Sequence, residues 1–240
     1  MREFLQRHEV RPYRPTYRFL KGDPVKQQTA REELAALGEK ARAGEVVLLS
    51  QDEARFPMVP TLVRTLGLKG QRPIVGTTDN KDVVYAFASL NVTDGRLITR
   101  LLPSTQRQRR REGSHKTRRL QAMFARHLQD VGRTYPAARF PRVVITIDNA
   151  PWHRGEPIRA ALRDHPNLEL HRLPSYSPQL NVIERLWKLL RRRATHNRLF
   201  EALPAMCATL RDSLRYYQVM KCRILSMIRS PRRRPKSHAV

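Results

Sequence analysis

The sequence predicts an α/β domain built on one mixed β-sheet with helices on both faces. An unbroken apolar run at residues 46–49 is typical of a strand that is buried on both faces. Apolar segments at residues 74–77, 83–92 and 97–102, separated by turn signals, indicate an antiparallel meander. Strands that alternate with helices between residues 143 and 194 imply that the rest of the sheet is parallel.

The N-terminal part is expected to be a basic linker followed by a helix. Residues 1–24 are basic and aromatic, and two prolines between residues 11 and 15 favour extended backbone there. Residues 25–43 place apolar positions among good helix formers, and Gly44 is a suitable helix terminator. The strand at residues 45–50 then ends just before Asp52. The main predicted domain covers residues 25–222, a length that can bury a sizeable core.

The second half of the chain begins with a basic segment. Residues 104–119 are rich in arginine and almost free of apolar residues, so we expect a solvated loop that leads into a helix. Beyond it we predict strands at 143–147 and 168–173, helices at 157–164 and 181–194, and a basic, disordered tail at 223–240. Three antiparallel strands followed by alternating helices and strands match the ribonuclease-H-like layout, which is the predicted fold class.

The charge of the chain indicates a polyanionic partner. Forty-seven Lys and Arg against 21 Asp and Glu give a formal net charge of +26. Nucleic acid offers a dense row of phosphates to such a surface. No signal peptide, basic amphipathic helix or apolar run of membrane-spanning length favours a membrane instead. Cys207 and Cys222 lack zinc-finger spacing and are expected to be buried free thiols in a reducing, cytoplasmic compartment.

Three acidic residues stand where a site can form. Asp52 and Asp148 each follow a predicted buried strand, and ligands bind outside the carboxyl ends of strands in α/β sheets. Glu184 lies near the start of a helix whose stripe of Leu180, Ile183, Trp187 and Leu190 is expected to face the core. Each has a structural alternative: an aspartate can open a turn, and a glutamate three residues after an asparagine can form a capping box.

The combination of these carboxylates indicates a metal site. Three acidic groups gathered in one place repel each other unless a cation lies among them. Oxygen ligands suit Mg²⁺ or Mn²⁺, and two such ions about 3.5–4 Å apart can drive an in-line phosphodiester displacement. The sequence therefore predicts a metal-dependent nucleic-acid enzyme that needs no serine or cysteine nucleophile.

Four segments together carry a resemblance to a known family: SQDEARF at residues 50–56, KGQRP at 69–73, IDNAPWH at 147–153, and LPSYSP at 173–178 with its continuation to Trp187. In addition, 35 residues separate Asp148 from Glu184. At these residues the sequence resembles the DDE superfamily endonuclease domain of insertion-sequence transposases, in the bacterial, mariner-like branch (insertion sequence family six-thirty). The resemblance covers about residues 45–217.

The resemblance implies a function and a site. Asp52, Asp148 and Glu184 would form the metal triad, with the two aspartates sharing one ion and Glu184 completing the second site. The implied reaction is cleavage at transposon ends followed by strand transfer into target DNA, with insertion at TA dinucleotides. Supporting roles, such as orienting a ligand or contacting a DNA phosphate, are implied for Asn149, His153 and Asn181. For His153 the alternative is a purely structural histidine, at the surface or in the core, whose hydrogen bonds are satisfied within the protein.

The implied partners are double-stranded DNA, a second copy of the chain, since paired-end chemistry favours a homodimer, and a separately encoded helix-turn-helix protein. Family members usually begin with helix-turn-helix domains, of which only a basic linker remains here, so the chain is expected to be a second reading frame or a truncated copy, acting on the bacterial nucleoid. A simple nuclease and an inactive DNA-binding remnant are the alternative functions. The expected phosphate contacts all lie in the basic segment: Arg107, Arg109, Arg110, Arg111, Lys116, Arg118 and Arg119.

Overall fold

A computed structural model describes residues 2–8, 21–112 and 116–229 of the chain. Its helices and strands, in chain order, are α1 (Arg2–Arg7), α2 (Pro24–Ala43), β1 (Val47–Pro57), β2 (Val83–Asn91), β3 (Leu97–Ser104), α3 (Gln106–Glu112), α4 (Lys116–Thr134), β4 (Val143–Ile147), α5 (Glu156–Asp164), β5 (Leu168–Arg172), α6 (Glu184–Ala194), α7 (Leu203–Val219) and α8 (Lys221–Arg229).

The five strands form one mixed sheet in the order β3-β2-β1-β4-β5. The strands β1, β2 and β3 pair antiparallel, whereas β4 pairs parallel with both β1 and β5. This arrangement confirms the predicted ribonuclease-H-like layout. No helix in the described part of the chain is long and apolar enough to cross a membrane.

In the described part of the chain, hydrophobic clusters cover both faces of the sheet. Along β1 and β2, successive side chains alternate between the faces, as they must in a strand. Ala54 and Phe56 pack with Trp187 and Leu210 on the face covered by α6, α7 and α8. Leu49 packs on the opposite face with residues of α4, α5 and β4. Consecutive residues of β1 therefore act on opposite sides of the sheet, which matters for the site below.

The strand β1 is longer than predicted, and this changes the meander. Asp52 lies inside β1, opposite Ala88 of β2, because pairing with β2 continues to Pro57 after pairing with β4 stops at Ser50. The predicted strand at residues 74–77 is wrong: no strand forms there, and Ile74 is 94% exposed. Both sides of β2, the next strand along the chain, are already paired with β1 and β3, so residues 74–77 have no open side of β2 to join.

Two predictions about basic segments of the chain are also wrong. Residues 106–112 form α3 rather than a loop, because Thr105 and Gln108 make a reciprocal capping box with bonds of 3.0 and 3.1 Å. Residues 223–229 belong to α8 rather than to a disordered tail, and the buried side chain of Ile224 anchors this helix in the core. Residues 9–20 and 230–240, with the expected extended linker and the rest of the tail, lie outside the described residues.

Other predictions about single positions had mixed outcomes. The helix at residues 25–43 is confirmed as α2, and Gly44 ends it with a left-handed φ of 80°. Cys207 is buried as expected, but Cys222 is exposed, which corrects the expectation of two buried thiols. Ile183, Trp187 and Leu190 are buried in the core as the helical stripe predicted, whereas Leu180 precedes α6 and is only half-buried.

Candidate active site

The parallel pairing of β1 with β4 brings Asp52 and Asp148 to neighbouring positions. The last pair in this register joins Ser50 to Thr146, and the two aspartates lie two residues further along each chain. Asp52 is still inside β1, whereas Asp148 directly follows β4. The two aspartates therefore lie at the same end of the sheet, as the sequence predicted, and line one cleft.

Glu184 joins the aspartates in one cleft. It is the first residue of α6, which packs through Trp187 and Leu190 against the core on one face of the sheet. Asp52, Asp148 and Glu184 line the same cleft, together with Asn149, Asn181 and the loop of residues 173–178. The structure thus brings together the three acidic residues that lie far apart in sequence.

The start of α6 is fixed to β1 by Asn181 rather than capped by it. The Asn181 side-chain amide donates to the carbonyl of Gln51 at 2.9 Å, and its Oδ1 accepts from the Ser50 hydroxyl. The Ser50 hydroxyl in turn accepts from the backbone N–H of Ile183 at 3.3 Å. No side chain caps α6, so the capping-box alternative for Glu184 is wrong. Asn181 instead sets the position of Glu184 relative to Asp52.

Asn149 makes a comparable link between two strand ends. Its side-chain amide donates to the carbonyl of Leu173 at 2.7 Å, which ties the segment after β4 to the segment after β5. Its amide nitrogen is therefore bonded within the protein, and both residues of this link line the cleft.

The Asp52 carboxyl accepts a hydrogen bond from an indole, and its surroundings disfavour its charged form. Trp187 Nε1 donates to Asp52 Oδ2 at 3.0 Å. Burial, and then the negative charges of Glu53 and Glu184, raise the pKa of Asp52 to about 8. A carboxyl group in this state becomes a stable carboxylate at neutral pH only when a positive charge comes close to it.

His153 connects Asp148 to a carboxylate that the sequence argument overlooked. Its Nδ1 lies 3.0 Å from Asp148 Oδ1, and its Nε2 lies 2.9 Å from Glu53 Oε1. Burial lowers the pKa of His153, but the hydrogen bonds to Asp148 and Glu53 outweigh it and raise the pKa to about 9. For Asp148, burial raises the pKa, but the bonds from His153 and Ala150 N–H bring it below its ordinary value.

Strand alternation accounts for the position of Glu53, but only because β1 continues beyond residue 50, where the predicted strand ended. It directly follows Asp52, so in a strand it must project from the opposite face of the sheet. On that face it also accepts a hydrogen bond from Trp152 Nε1 at 3.1 Å. The polar pair Trp152 and His153, which follows Asp148, was the second signal.

The donor set fits a hard divalent cation of the Mg²⁺ type. Within the described ranges, no three His, Cys, Asp or Glu side chains converge closely enough to hold a metal ion by themselves. Mg²⁺ is usually bound by one or two carboxylates, with waters and substrate phosphate oxygens completing its shell. Asp52 and Asp148 line one cleft, and the burial and negative charges that raise the pKa of Asp52 favour a nearby cation, so both features suit such an incomplete protein shell.

The expected DNA-contacting residues fall into two groups. Arg107, Arg110 and Arg111 are exposed on α3. Arg109 is not free: its guanidinium donates to the carbonyl of Ser104 at 2.6 Å and to that of Lys81. At the start of α4, the exposed Lys116 lies 6.0 Å over the Tyr85 ring, Arg118 is exposed, and Arg119 donates to the Pro103 carbonyl at 3.4 Å.

The helix α3 lies at the end of the sheet toward which β1 runs. Pro57, at the end of β1, pairs with Val83 of β2, which pairs with Ser104 of β3, and α3 starts two residues later. The basic segment therefore stands on the rim of the sheet, as the sequence argument expected.

Comparisons with known proteins agree with this geometry. In curated proteins, the chain is 25% identical over 147 residues to the insertion element IS630 uncharacterized 39 kDa protein of Shigella sonnei, covering 61% of this chain and 38% of that protein. It is 32% identical over 75 residues to an uncharacterized protein of Sinorhizobium fredii, covering 31% of this chain and 51% of that one. The chain thus spans about half or less of the relatives it matches.

Among solved structures, the chain resembles the Mos1 mariner paired end complex with Mn at a TM-score of 0.59 and 16% identity, covering 95% of this chain and 68% of that one. It resembles the catalytic domain of Mos1 mariner transposase at a TM-score of 0.56 and 16% identity, covering 90% and 94%. These likenesses establish the fold. The family model of the DDE superfamily endonucleases matches residues 47–207, which include all three acidic residues of the cleft. This chain therefore belongs to the DDE superfamily endonuclease family.

Proposed function

We propose that this chain cuts and rejoins DNA in a divalent-metal-dependent reaction, as the catalytic domain of a transposase. The observation that carries the proposal is the single cleft lined by Asp52, Asp148 and Glu184. Membership of the endonuclease family and the likeness to a transposase catalytic domain support it. Mg²⁺ or Mn²⁺ is the proposed cofactor, in keeping with the oxygen-only donor set.

Each carboxylate has a proposed role in metal binding. Asp52 and Asp148 share one ion, because they stand on adjacent parallel strands, and Glu184 completes a second site from α6. Two bound ions would activate the attacking hydroxyl and stabilise the leaving oxygen of the scissile phosphodiester. The protein supplies the geometry: Trp187 holds Asp52, His153 holds Asp148, and Asn181 fixes the start of α6 against β1.

Double-stranded DNA is the proposed substrate and partner. The formal charge of +26 supports a sequence-independent grip on phosphates. The rim of the sheet near α3 carries exposed arginines that can make bidentate bonds to a phosphate. A homodimer on paired ends, and a separate helix-turn-helix protein for end recognition, complete the proposal. One solved neighbour is described as a paired end complex.

The test is a plasmid assay with purified full chain, a transposon-end duplex and Mn²⁺. The expected products are a nick that leaves a 3′ hydroxyl and a joined product in which that end is linked to the plasmid. Asp148→Ala should remove both products while DNA binding stays within about twofold. Glu169→Gln is the matched control, because this exposed carboxylate pairs with Arg142 far from the cleft and should leave both products unchanged.

Each alternative function gives a different outcome in this assay. Cleavage without joining, at any end concentration, would contradict a transposase and establish a simple nuclease. DNA binding with no metal-dependent cleavage, in the presence or absence of the helix-turn-helix partner, would establish a binding remnant. Sedimentation of the chain with and without end DNA tests the homodimer, and a single copy on each synapsed pair of ends would contradict it.

A further inference from the structure

Glu53 is a buried carboxylate with no direct part in the proposed reaction. Its side chain is 7% exposed and lies on the face of the sheet opposite Asp52. Its Oε1 accepts from Gln51 Nε2 at 2.8 Å and lies 2.9 Å from His153 Nε2, and its Oε2 accepts from Trp152 Nε1 at 3.1 Å. Both oxygens are engaged within the protein, so Glu53 is not placed as a metal ligand.

Burying a carboxylate costs several kcal/mol in desolvation, on the order of what a well-formed set of partners can return. A purely structural link between β1 and the turn at Pro151–His153 could be made by neutral groups at lower cost. The charge at Glu53 therefore calls for a role that a neutral side chain would not fill, and the contacts of its partner His153 indicate one.

His153 contacts both Glu53 and Asp148 and so links the two side chains. The imidazole is fully buried and lies against Phe124 of α4 in a tilted arrangement, with 4.4 Å between the ring centroids. Its Nδ1 lies 3.0 Å from Asp148 Oδ1 and 3.2 Å from the Asp148 carbonyl. Because the two ring nitrogens lie on different sides of one rigid ring, fixing Nε2 at Glu53 also fixes Nδ1 at Asp148.

The Asp148 carboxylate needs such a restraint. Its side chain is 55% exposed, so packing does not determine its orientation. Two bonds do: Oδ1 accepts from Ala150 N–H at 2.9 Å and faces His153 Nδ1. Both bonds fall on Oδ1, so they orient the carboxylate plane without occupying Oδ2.

We propose that Glu53 is a positioning residue that acts through His153 to hold the Asp148 carboxylate in the orientation that binds a divalent cation. This inference rests on the proposed function, because it takes Asp148 to be a metal ligand. Partners that orient the ligands of a metal typically contribute about ten- to a hundredfold to metal affinity when they are removed.

The test is calorimetric titration of the metal-free full chain with Mn²⁺ alone, which needs neither DNA nor activity. Glu53→Ala should weaken Mn²⁺ binding by about ten- to a hundredfold. Glu53→Gln should weaken it less, because the amide oxygen still accepts from His153 Nε2. His153→Gln should lower the Mn²⁺ affinity as much as Glu53→Ala does. The double variant should bind Mn²⁺ no more weakly than the weaker-binding single variant, because both residues act along one path.

His127→Gln is the matched control. His127 is as buried as His153 and lies on α4 within electrostatic range of Glu53, but its Nε2 bonds to Ser89 Oγ rather than to a carboxylate. Its Mn²⁺ affinity should equal that of the unaltered chain. Thermal unfolding of each variant without metal reports folding separately; if Glu53→Ala does not fold, Glu53→Gln decides.

The outcomes separate this inference from the proposed function. A folded Glu53→Ala variant with unchanged Mn²⁺ affinity, or a double variant whose losses add, overturns the positioning role. Loss of affinity in Glu53→Ala with none in His153→Gln overturns it as well, since Glu53 would then act directly. If Asp148→Ala itself binds Mn²⁺ normally, the metal site fails and the positioning role fails with it. If only Asp148→Ala loses binding, the metal site stands and the positioning role is wrong.

Discussion

The indole Nε1 of Trp187 donates a hydrogen bond of 3.0 Å to Oδ2 of Asp52. This bond links the core side of α6 to the middle of β1, so one residue both packs the helix and restrains a cleft carboxylate. The indole is 1% exposed, and its ring meets Phe56 edge-on at 6.3 Å between centroids. A tryptophan that the sequence assigned to the core therefore also contributes to the site.

Replacing Trp187 by Phe should uncouple these two roles. The phenyl ring keeps most of the apolar packing but removes the N–H donor, and a hydrogen bond to a charged group contributes about 1.5–3 kcal/mol. We expect kcat for metal-dependent cleavage to fall about tenfold or more. Phe56→Leu is the control, because it perturbs the same packing without a bond to Asp52 and should lower stability with kcat unchanged. Equal kcat losses in both variants would contradict a role for the bond.

Replacing the Asp52 carboxyl group by an amide should change stability in opposite directions with and without metal. The buried carboxyl group, with its pKa raised to about 8, destabilises the metal-free chain at neutral pH, so Asp52→Asn should raise the melting temperature. Mn²⁺ at a hundredfold excess over its Kd should stabilise the unaltered chain by about 2.7 kcal/mol. It should stabilise Asp52→Asn far less, whereas Glu169→Gln should respond like the unaltered chain. A full Mn²⁺ response in Asp52→Asn would exclude Asp52 from the metal site.

Glu184→Ala distinguishes a ligand from a helix cap. Because no side chain caps α6, this change should not cost the ~1 kcal/mol that a lost cap costs. It should nevertheless abolish cleavage in the plasmid assay. Chemical denaturation of the metal-free variant measures the first expectation. A loss of about 1 kcal/mol with cleavage retained would restore the capping interpretation.

The basic helix α3 should contribute phosphate contacts through its exposed arginines only. Arg110→Ala combined with Arg111→Ala should weaken duplex binding equally for all sequences. The slope of log affinity against log salt should flatten by up to about two units, since each contact contributes about 0.9. Arg109→Ala is the contrast: it loses bonds to the carbonyls of Ser104 and Lys81, so it should lower stability with little change in slope. An unchanged slope in the double variant would place the DNA path elsewhere.

His127 should make the stability of the fold fall with acid. Burial lowers the pKa of this imidazole to about 4. The unfolded chain therefore takes up a proton near pH 6.5, which the folded chain takes up only near pH 4, so stability decreases as the pH falls through that window. The loss should total roughly 3 kcal/mol. Denaturation curves of the unaltered chain and His127→Gln between pH 7 and pH 4 isolate it, and parallel stability profiles would show that His127 does not contribute.

The sequence alone was sufficient for the fold class, and it selected three acidic residues that the structure brings into one cleft. Apolar runs and turn signals have local causes, so the order of helices and strands could be predicted from neighbours along the chain. The positions of Asp148, after β4, and of Glu184, on the flank of an apolar stripe, followed from the same local patterns. The capping box of Thr105 and Gln108, and the apolar positions of α8, were equally local signals, and the sequence argument missed them.

Only the tertiary structure decided how far β1 extends and what surrounds its acidic pair. The polar residues 51–53 end the apolar run in the sequence, yet the strand continues, because backbone pairing with β2 extends as far as Pro57. This extension places Asp52 and Glu53 on opposite faces of one sheet. The indole of Trp187 then bonds to Asp52, and His153 bonds to Glu53, across sequence separations of about a hundred residues or more. Contacts of that kind depend on how distant elements pack together, and no local pattern of residues encodes them.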